Sequence, residues 1–205
     1  MENNKRNKII LLIAIAVIVL GSIAGYIYWA VSSSNVYVEN STVSAPVINE
    51  VPAVGGILQE VFVNTGDIVQ MSAPIARVGN ELLKAQSAGQ IMSISTDVGA
   101  SYGPGKTVAT MINPEDLRVV GQVQEDKGLK FIKVGQTAVF TVDAFGSKKY
   151  SGIVDEISPT SNAGDIVFNI SNARQENDFD VKVRFDATQY PELKNGMSAK
   201  LWIYK

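Results

Sequence analysis

Three regimes of hydrophobic and polar positions succeed one another along the chain. The first is unbroken: Ile9 to Val31 (IILLIAIAVIVLGSIAGYIYWAV) runs 23 residues without a charge. At about 1.5 Å of rise per helical residue, such a stretch covers a hydrocarbon core roughly 30 Å thick, so residues 9–31 are predicted to form a transmembrane helix. Lys5, Arg6 and Lys8 precede it, and the next charge after it is Glu39. That asymmetry places residues 1–8 in the cytoplasm and the bulk of the chain outside. Tyr26, Tyr28 and Trp29 collect at the outer end, the level at which amphipathic rings settle between water and lipid. A cleaved signal peptide would carry a shorter apolar core ending in a small-x-small site. This stretch is longer and has no such site, so an uncleaved signal anchor is expected. Gly21 and Gly25 form a G-x-x-x-G pair, read here as ordinary glycine in a membrane helix.

The second regime is short and punctuated. Residues 32–44 begin with polar residues and then alternate as Val36-Tyr37-Val38, a short entry strand. From Ala45 onward, β segments are interrupted by glycine and proline. Two stretches match at a constant offset of 33 residues: Gly56 with Gly89, Leu58 with Ile91, Val61 with Ile94, Gly66 with Gly99, Ile75 with Val108, and Ala76 with Ala109. Apolar positions falling in phase with the glycines indicate two halves of one small core related by pseudo-twofold symmetry. Each half needs a tight turn with glycine at positive φ, as in Asn64-Thr65-Gly66-Asp67.

The third regime, from Asn113, is a longer β pattern. Leu117–Val123, Thr137–Asp143 and Tyr150–Ile157 read as strands, Glu125–Ile132 as a short helix, and Ala144–Ser147 as a turn. Phe179, Val181, Val183 and Phe185 alternate with Asp180, Lys182, Arg184 and Asp186, which predicts a strand with one buried and one wet face. The charges of that run are read as a solvated face rather than a binding site. Leu201 and Ile203 repeat the alternation after an Asn195-Gly196 turn.

Composition removes whole classes of chemistry. The chain has no histidine and no cysteine, hence no imidazole base, no thiol nucleophile, no disulfide and no zinc site of the usual kind. With 18 Lys+Arg against 20 Asp+Glu the net charge is −2. Beyond residue 8 the balance is 15 basic to 19 acidic, a net −4, which gives no electrostatic case for nucleic-acid binding. Tyr102-Gly103-Pro104-Gly105-Lys106-Thr107 contains the G-K-T of a phosphate loop, but Ala100 stands where the first glycine belongs and Pro104 removes a backbone donor, so it is read as a turn. Asp67 and Asp97 lie near turns without a partnered acid or base. No catalytic, cofactor-binding or metal-ligating residue is assigned. Asn40-Ser41-Thr42 and Asn169-Ile170-Ser171 fit the glycosylation pattern, which has meaning only in a glycosylating host.

Gly56 to Val69 (GILQEVFVNTGDIV) resembles the half motif of lipoyl/biotinyl-type domains, a fold found both in carrier domains and in the HlyD-type membrane fusion proteins, the adaptors of export pumps. The carrier role needs a lysine at the tip of the hairpin between the halves. The turn expected there is Val78-Gly79-Asn80-Glu81, and Lys84 falls within the returning strand, so it is read as an unmodified structural lysine. Residues 132–145, 150–159, 179–185 and 191–199 resemble the β-barrel domain of the same adaptors, and Val36–Asn40 their entry into it. The resemblance spans nearly all of residues 36–205, in the family's order.

It implies a mainly β chain in segments: a cytoplasmic basic segment (1–8), the signal anchor (9–31), a linker and entry strand (32–44), a lipoyl-like flattened β-barrel domain (45–112) and an adaptor-type β-barrel domain (113–205). The long α-helical hairpin that most family members insert between the lipoyl-like halves has no counterpart in the roughly ten residues from Gly79 to Ala88. Nor does the further membrane-proximal domain of larger adaptors follow the barrel; both departures suit a single-membrane cell, or a shortened adaptor that acts only on its inner-membrane partner. The implied function is that of a non-enzymatic adaptor without cofactor, single-pass in the cytoplasmic membrane, homo-oligomeric, and docked on the outer face of an ABC or major-facilitator transporter. The alternative from the residues alone is a surface-anchored ligand-binding or sensor domain.

Overall fold

The computed structural model describes residues 17, 19, 21, 22, 35–162 and 177–205. The predicted membrane span lies almost wholly outside the described residues; Val17, Val19, Gly21 and Ser22 are helical. Among the described residues no helix is long and apolar enough to cross a membrane. The Asn169 sequon also lies outside them. What is described is mainly β.

The chain enters through β1 (Asn35–Ser44), far longer than the three residues expected. Val36 and Val38 point inward, then the register shifts before Ser41 and Val43 resume the inward face. That bulge hides the strand's length from a strict alternation test, because the apolar phase slips by one residue at Glu39-Asn40.

Eight short strands follow: β2 (Ile48–Glu50), β3 (Gly56–Val61), β4 (Ile68–Val69), β5 (Pro74–Val78), β6 (Glu81–Lys84), β7 (Gly89–Ile94), β8 (Ser101–Tyr102) and β9 (Ala109–Ile112). They form two four-stranded sheets, ordered β2-β9-β7-β4 and β6-β5-β3-β8. Strands β3 and β7, and likewise β4 and β8, lie 33 residues apart, so each sheet draws strands from both halves of the sequence. The hydrogen bonds repeat at the same offset. Gly66 N–H donates to Ile91 O, and Gly99 N–H to Leu58 O, each at 2.8 Å. Phe62 N–H reaches Ile75 O, and Ser95 N–H reaches Val108 O. Gly66 (φ 97°) and Gly99 (φ 96°) hold the same left-handed turn, a conformation that a side chain would strain. The core between the sheets is built of matched pairs, Leu58 with Ile91, Val69 with Tyr102, and Ile75 with Val108.

The chain then continues with β10 (Arg118–Gln124), β11 (Thr137–Val142), β12 (Lys149–Asn162), β13 (Asp178–Arg184) and β14 (Ser198–Tyr204). With β1 these make a six-stranded antiparallel barrel in the order β1-β10-β13-β12-β11-β14. Closure leaves no free edge. Phe140, Tyr150 and Leu201 fill its interior; Gly121 leaves room for Leu201, and Gly152 for Val183 and the Arg184 carbonyl on the neighbouring strand. The barrel core and the core between the two sheets are separate apolar clusters.

Two expectations are corrected. Residues 125–132 do not form an α-helix; they make a turn and a three-residue 3-10 helix, Leu129–Phe131. Gly128 at φ 113° breaks the helical path and lies against Val36. Strand β12 also runs on past Pro159 to Asn162, with a register shift between Ile157 and Ser161. An irregularity there is where a sheet tolerates a residue without an N–H.

Candidate interaction surfaces

The groups that sequence reading singled out are absorbed by local structure. Lys84 ends β6 and is exposed, not at a hairpin tip. The tip is the two-residue turn Gly79-Asn80 between β5 and β6, with Gly79 at φ 57°. Lys106 donates to Ser101 O at 3.1 Å and lies 4.2 Å over the Tyr102 ring, so the G-K-T segment is a self-satisfied turn. Asp67 closes its own turn by accepting from Asn64 N–H at 2.7 Å, and Asp97 O accepts from Ala100 N–H.

Two carboxylates do more than the sequence suggested. Glu50 sits at the position equivalent to Leu83 in the other half, yet it is fully buried. Its oxygens accept from the Gln86 backbone N–H (2.9 Å) and side-chain amide (3.3 Å), fastening the link between β6 and β7. Glu81, beside the hairpin tip, accepts from the N–H groups of Val54 (2.8 Å) and Ala53 (3.0 Å). These two donors, Val54 first, hold the Glu81 carboxyl below its ordinary range. A group whose folded pKa is depressed stabilises the fold above its unfolded pKa, and this contribution is lost as pH falls through the folded value. Acidification below the reference value of 4.5 is therefore expected to lower the melting temperature of the native chain more than that of Glu81→Gln. Identical pH slopes for the two proteins would show that this clamp contributes nothing.

One end of the barrel is closed by aromatic packing. Tyr190 meets Tyr150 edge-on at 5.0 Å, and Phe140 lies 5.3 Å from Tyr150 and 5.4 Å from Phe185. The Tyr150 hydroxyl donates to Glu192, which also pairs with Lys148. Burial first, then the Glu192 contact, pushes the Tyr150 phenol up, while the Lys148 hydrogen bond holds Glu192 down.

The barrel's outer face presents a charged groove of roughly 510 Å³ across β1, β10, β13 and β12. Register places Thr42, Val120, Lys182 and Glu156 in one outward rank. Asp155 lies between two arginines, 3.1 Å from Arg118 Nε and 3.7 Å from Arg184 Nε, and Lys182 pairs with Glu156 at 3.1 Å. Asp116 and Asp180 line the same groove. The alternating charges are thus solvated, as their pattern implied, and also paired across strands that sequence alone does not bring together. Fixed, matched charges of this kind serve register and partner choice at protein contacts more than they serve stability. Among the described residues no cluster of acidic side chains is arranged to hold a metal ion.

A second surface lies near the opposite end from the aromatic closure. Tyr37 and Trp202 are cross-strand partners on the outer face, with rings 5.2 Å apart. Tyr204 follows on β14, and Lys205 stands 4.4 Å over the Phe131 ring. The signal was present in the sequence: Trp202 and Tyr204 occupy the phase opposite to buried Leu201 and Ile203, which puts two large rings on the wet side.

No protein-family model matches the chain, and no curated protein matches it by sequence. Solved structures share its fold. The periplasmic adaptor protein EmrA aligns with a TM-score of 0.57 and 12% identity, over 84% of this chain and 99% of that one. The membrane fusion protein Spr0693 from Streptococcus pneumoniae R6 aligns at 0.62 and 15%, over 84% and 99%. A MacA–MexA chimera containing the Pseudomonas aeruginosa MexA α-hairpin domain aligns at 0.66 and 13%, over 83% and 81%. At such identities the likeness is one of fold, and the fold is that of membrane fusion and periplasmic adaptor proteins.

Proposed function

We propose that this chain is a membrane-anchored, non-enzymatic adaptor that docks on the extracytoplasmic face of an export transporter. The observation that carries the reading is architectural. A chain segment with the length and apolarity of a membrane span leads into a barrel strand, leaves the barrel to build two sheets with exchanged halves, and returns to close the barrel. The solved structures that share the fold of the β part include proteins named as adaptors and membrane fusion proteins, which supports the reading.

In this reading residues 45–112 form a lipoyl-like domain and residues 113–205, with the entry strand, an adaptor-type barrel domain. The tight Gly79-Asn80 hairpin stands where longer adaptors carry their helical hairpin. The anchor crosses once with the N-terminus inside, and several copies gather around an ABC or major-facilitator partner in the cytoplasmic membrane. Anchoring supports such a design physically, because confinement beside the partner raises effective concentration and lets modest contacts suffice. The matched charges of the barrel groove supply an oriented contact of that kind.

Deleting residues 45–205 while keeping the anchor is expected to raise sensitivity to the exported compound, or to stop its secretion, in cells that express the partner transporter. Unchanged transport in such cells would end the adaptor reading.

A further inference from the structure

We propose that the barrel rim carrying Tyr37, Trp202, Tyr204 and Phe131 rests directly on the lipid headgroups of the membrane that anchors the chain. The inference rests on the anchor reading above and adds a second, reversible membrane contact made by the folded barrel.

The tether is the first argument. The predicted span ends at Val31 and β1 begins at Asn35. Four residue steps reach at most roughly 14 Å even when fully extended, whereas the polar zone on each side of a bilayer is itself about 5–7 Å deep. The end of the barrel that holds Asn35 is thereby confined to the headgroup zone or just above it. Asn35 pairs with Tyr204, so the outer end of β14 shares this height.

The side chains gathered there are the second argument. Tyr37 is 47%, Phe131 44% and Tyr204 41% exposed, and it is their gathering at one rim, not their single exposure, that marks a contact surface. Aromatic rings with polar tips favour the interface between water and lipid, where one edge stays wet while the other meets acyl chain. Lys130 and Lys205 each place an ammonium group over the Phe131 ring, at 4.9 and 4.4 Å. Their long stems keep that charge at phosphate level while the ring goes deeper. The loop itself carries Glu125 and Asp126 against Lys127, Lys130 and Lys133, a small positive excess that a zwitterionic headgroup does little to attract. The rings carry the contact, which is expected to persist on zwitterionic lipid and in salt.

The chain has two tryptophans, and one of them, Trp202, sits in this rim. The full chain with Trp29→Phe, purified without partner protein and placed in phosphatidylcholine vesicles, therefore carries Trp202 as its single reporter. Spin-labelled phosphatidylcholine is then added, labelled either at the headgroup or deep in the acyl chain. Headgroup label is expected to quench Trp202 about twofold, and deep label far less. Phe131→Ser combined with Tyr204→Ser, both at exposed positions, is expected to remove most of that quenching while the chain still floats with the vesicles. A control with Trp29→Phe, Trp202→Phe and Phe145→Trp moves the reporter to the opposite end of the barrel and should stay unquenched.

A chain that floats with vesicles but leaves Trp202 unquenched overturns the lipid contact, and reserves the rim for water or a protein partner. Equal quenching at Phe145→Trp overturns it as well, since it reports a barrel lying on lipid without orientation. A chain that fails to float overturns the anchor reading and this inference with it.

Discussion

Gly89→Ala is expected to lower the stability of the two-sheet core by about 3 kcal/mol or more, a loss at the upper end of single substitutions. The reason is close approach of backbones. A Cβ at Gly89 would sit 2.4 Å from Ile112 O and 2.8 Å from Met111 Cε, inside the core that β7 and β9 share. The carbonyl belongs to a paired strand and cannot swing away without breaking the ladder. The equivalent position in the other half, Gly56, meets the same obstacle, with a Cβ 2.7 Å from Gly79 N. Gly56→Ala is expected to be damaging for the same reason. Gly103→Ala is the control, since nothing lies within 4 Å of its Cβ, and its stability should stay within about 0.5 kcal/mol of the parent. Chemical unfolding of the full chain in detergent compares them, and equal midpoints for Gly89→Ala and Gly103→Ala would contradict the packing described.

The second large effect is expected in the barrel. Phe140 is fully buried between Tyr150 and Phe185. Truncating such a ring leaves a cavity that a closed barrel cannot collapse, so Phe140→Ala should cost about 3–5 kcal/mol. The two apolar cores are separate, which gives the substitution a spatial signature. Hydrogen exchange is expected to accelerate in β10–β14 and to stay near the parent rate in β3, β5 and β7. Uniform acceleration through both bodies would mean they unfold as one unit, contrary to the proposed division into two domains.

The two-sheet body was the more legible in sequence. Its strands are short and their turns demand glycine, so Gly66 and Gly99 mark the same conformational need twice, and the spacing between them is the spacing of the strands themselves. The barrel was legible only where alternation is regular, as in β13 and β14. At β1 and β12 a bulge shifts the apolar phase, and a pattern of period two loses track of the strand there. The short helix expected near residue 128 does not form because Gly128, in its middle, takes the left-handed conformation. Of the candidate surfaces, the charges of β13 were visible but their partners were not: Asp155 and Arg118 are 37 residues apart and meet only through the barrel's strand order. For buried Glu50 the only signal is the 33-residue repeat, which sets it opposite inward-facing Leu83; its own three-residue strand does not distinguish an inward carboxylate from an outward one.

The central claim, that this barrel docks on a transporter, is tested most directly by photo-crosslinking in native membranes. A photoreactive residue placed at Val120, in the charged groove, contacts whatever occupies that face, and mass spectrometry of the adduct names it. The expected adduct is a polytopic export transporter. A folded, membrane-inserted chain that yields no transporter adduct from Val120, or from Thr42 and Lys182 beside it, would contradict the claim.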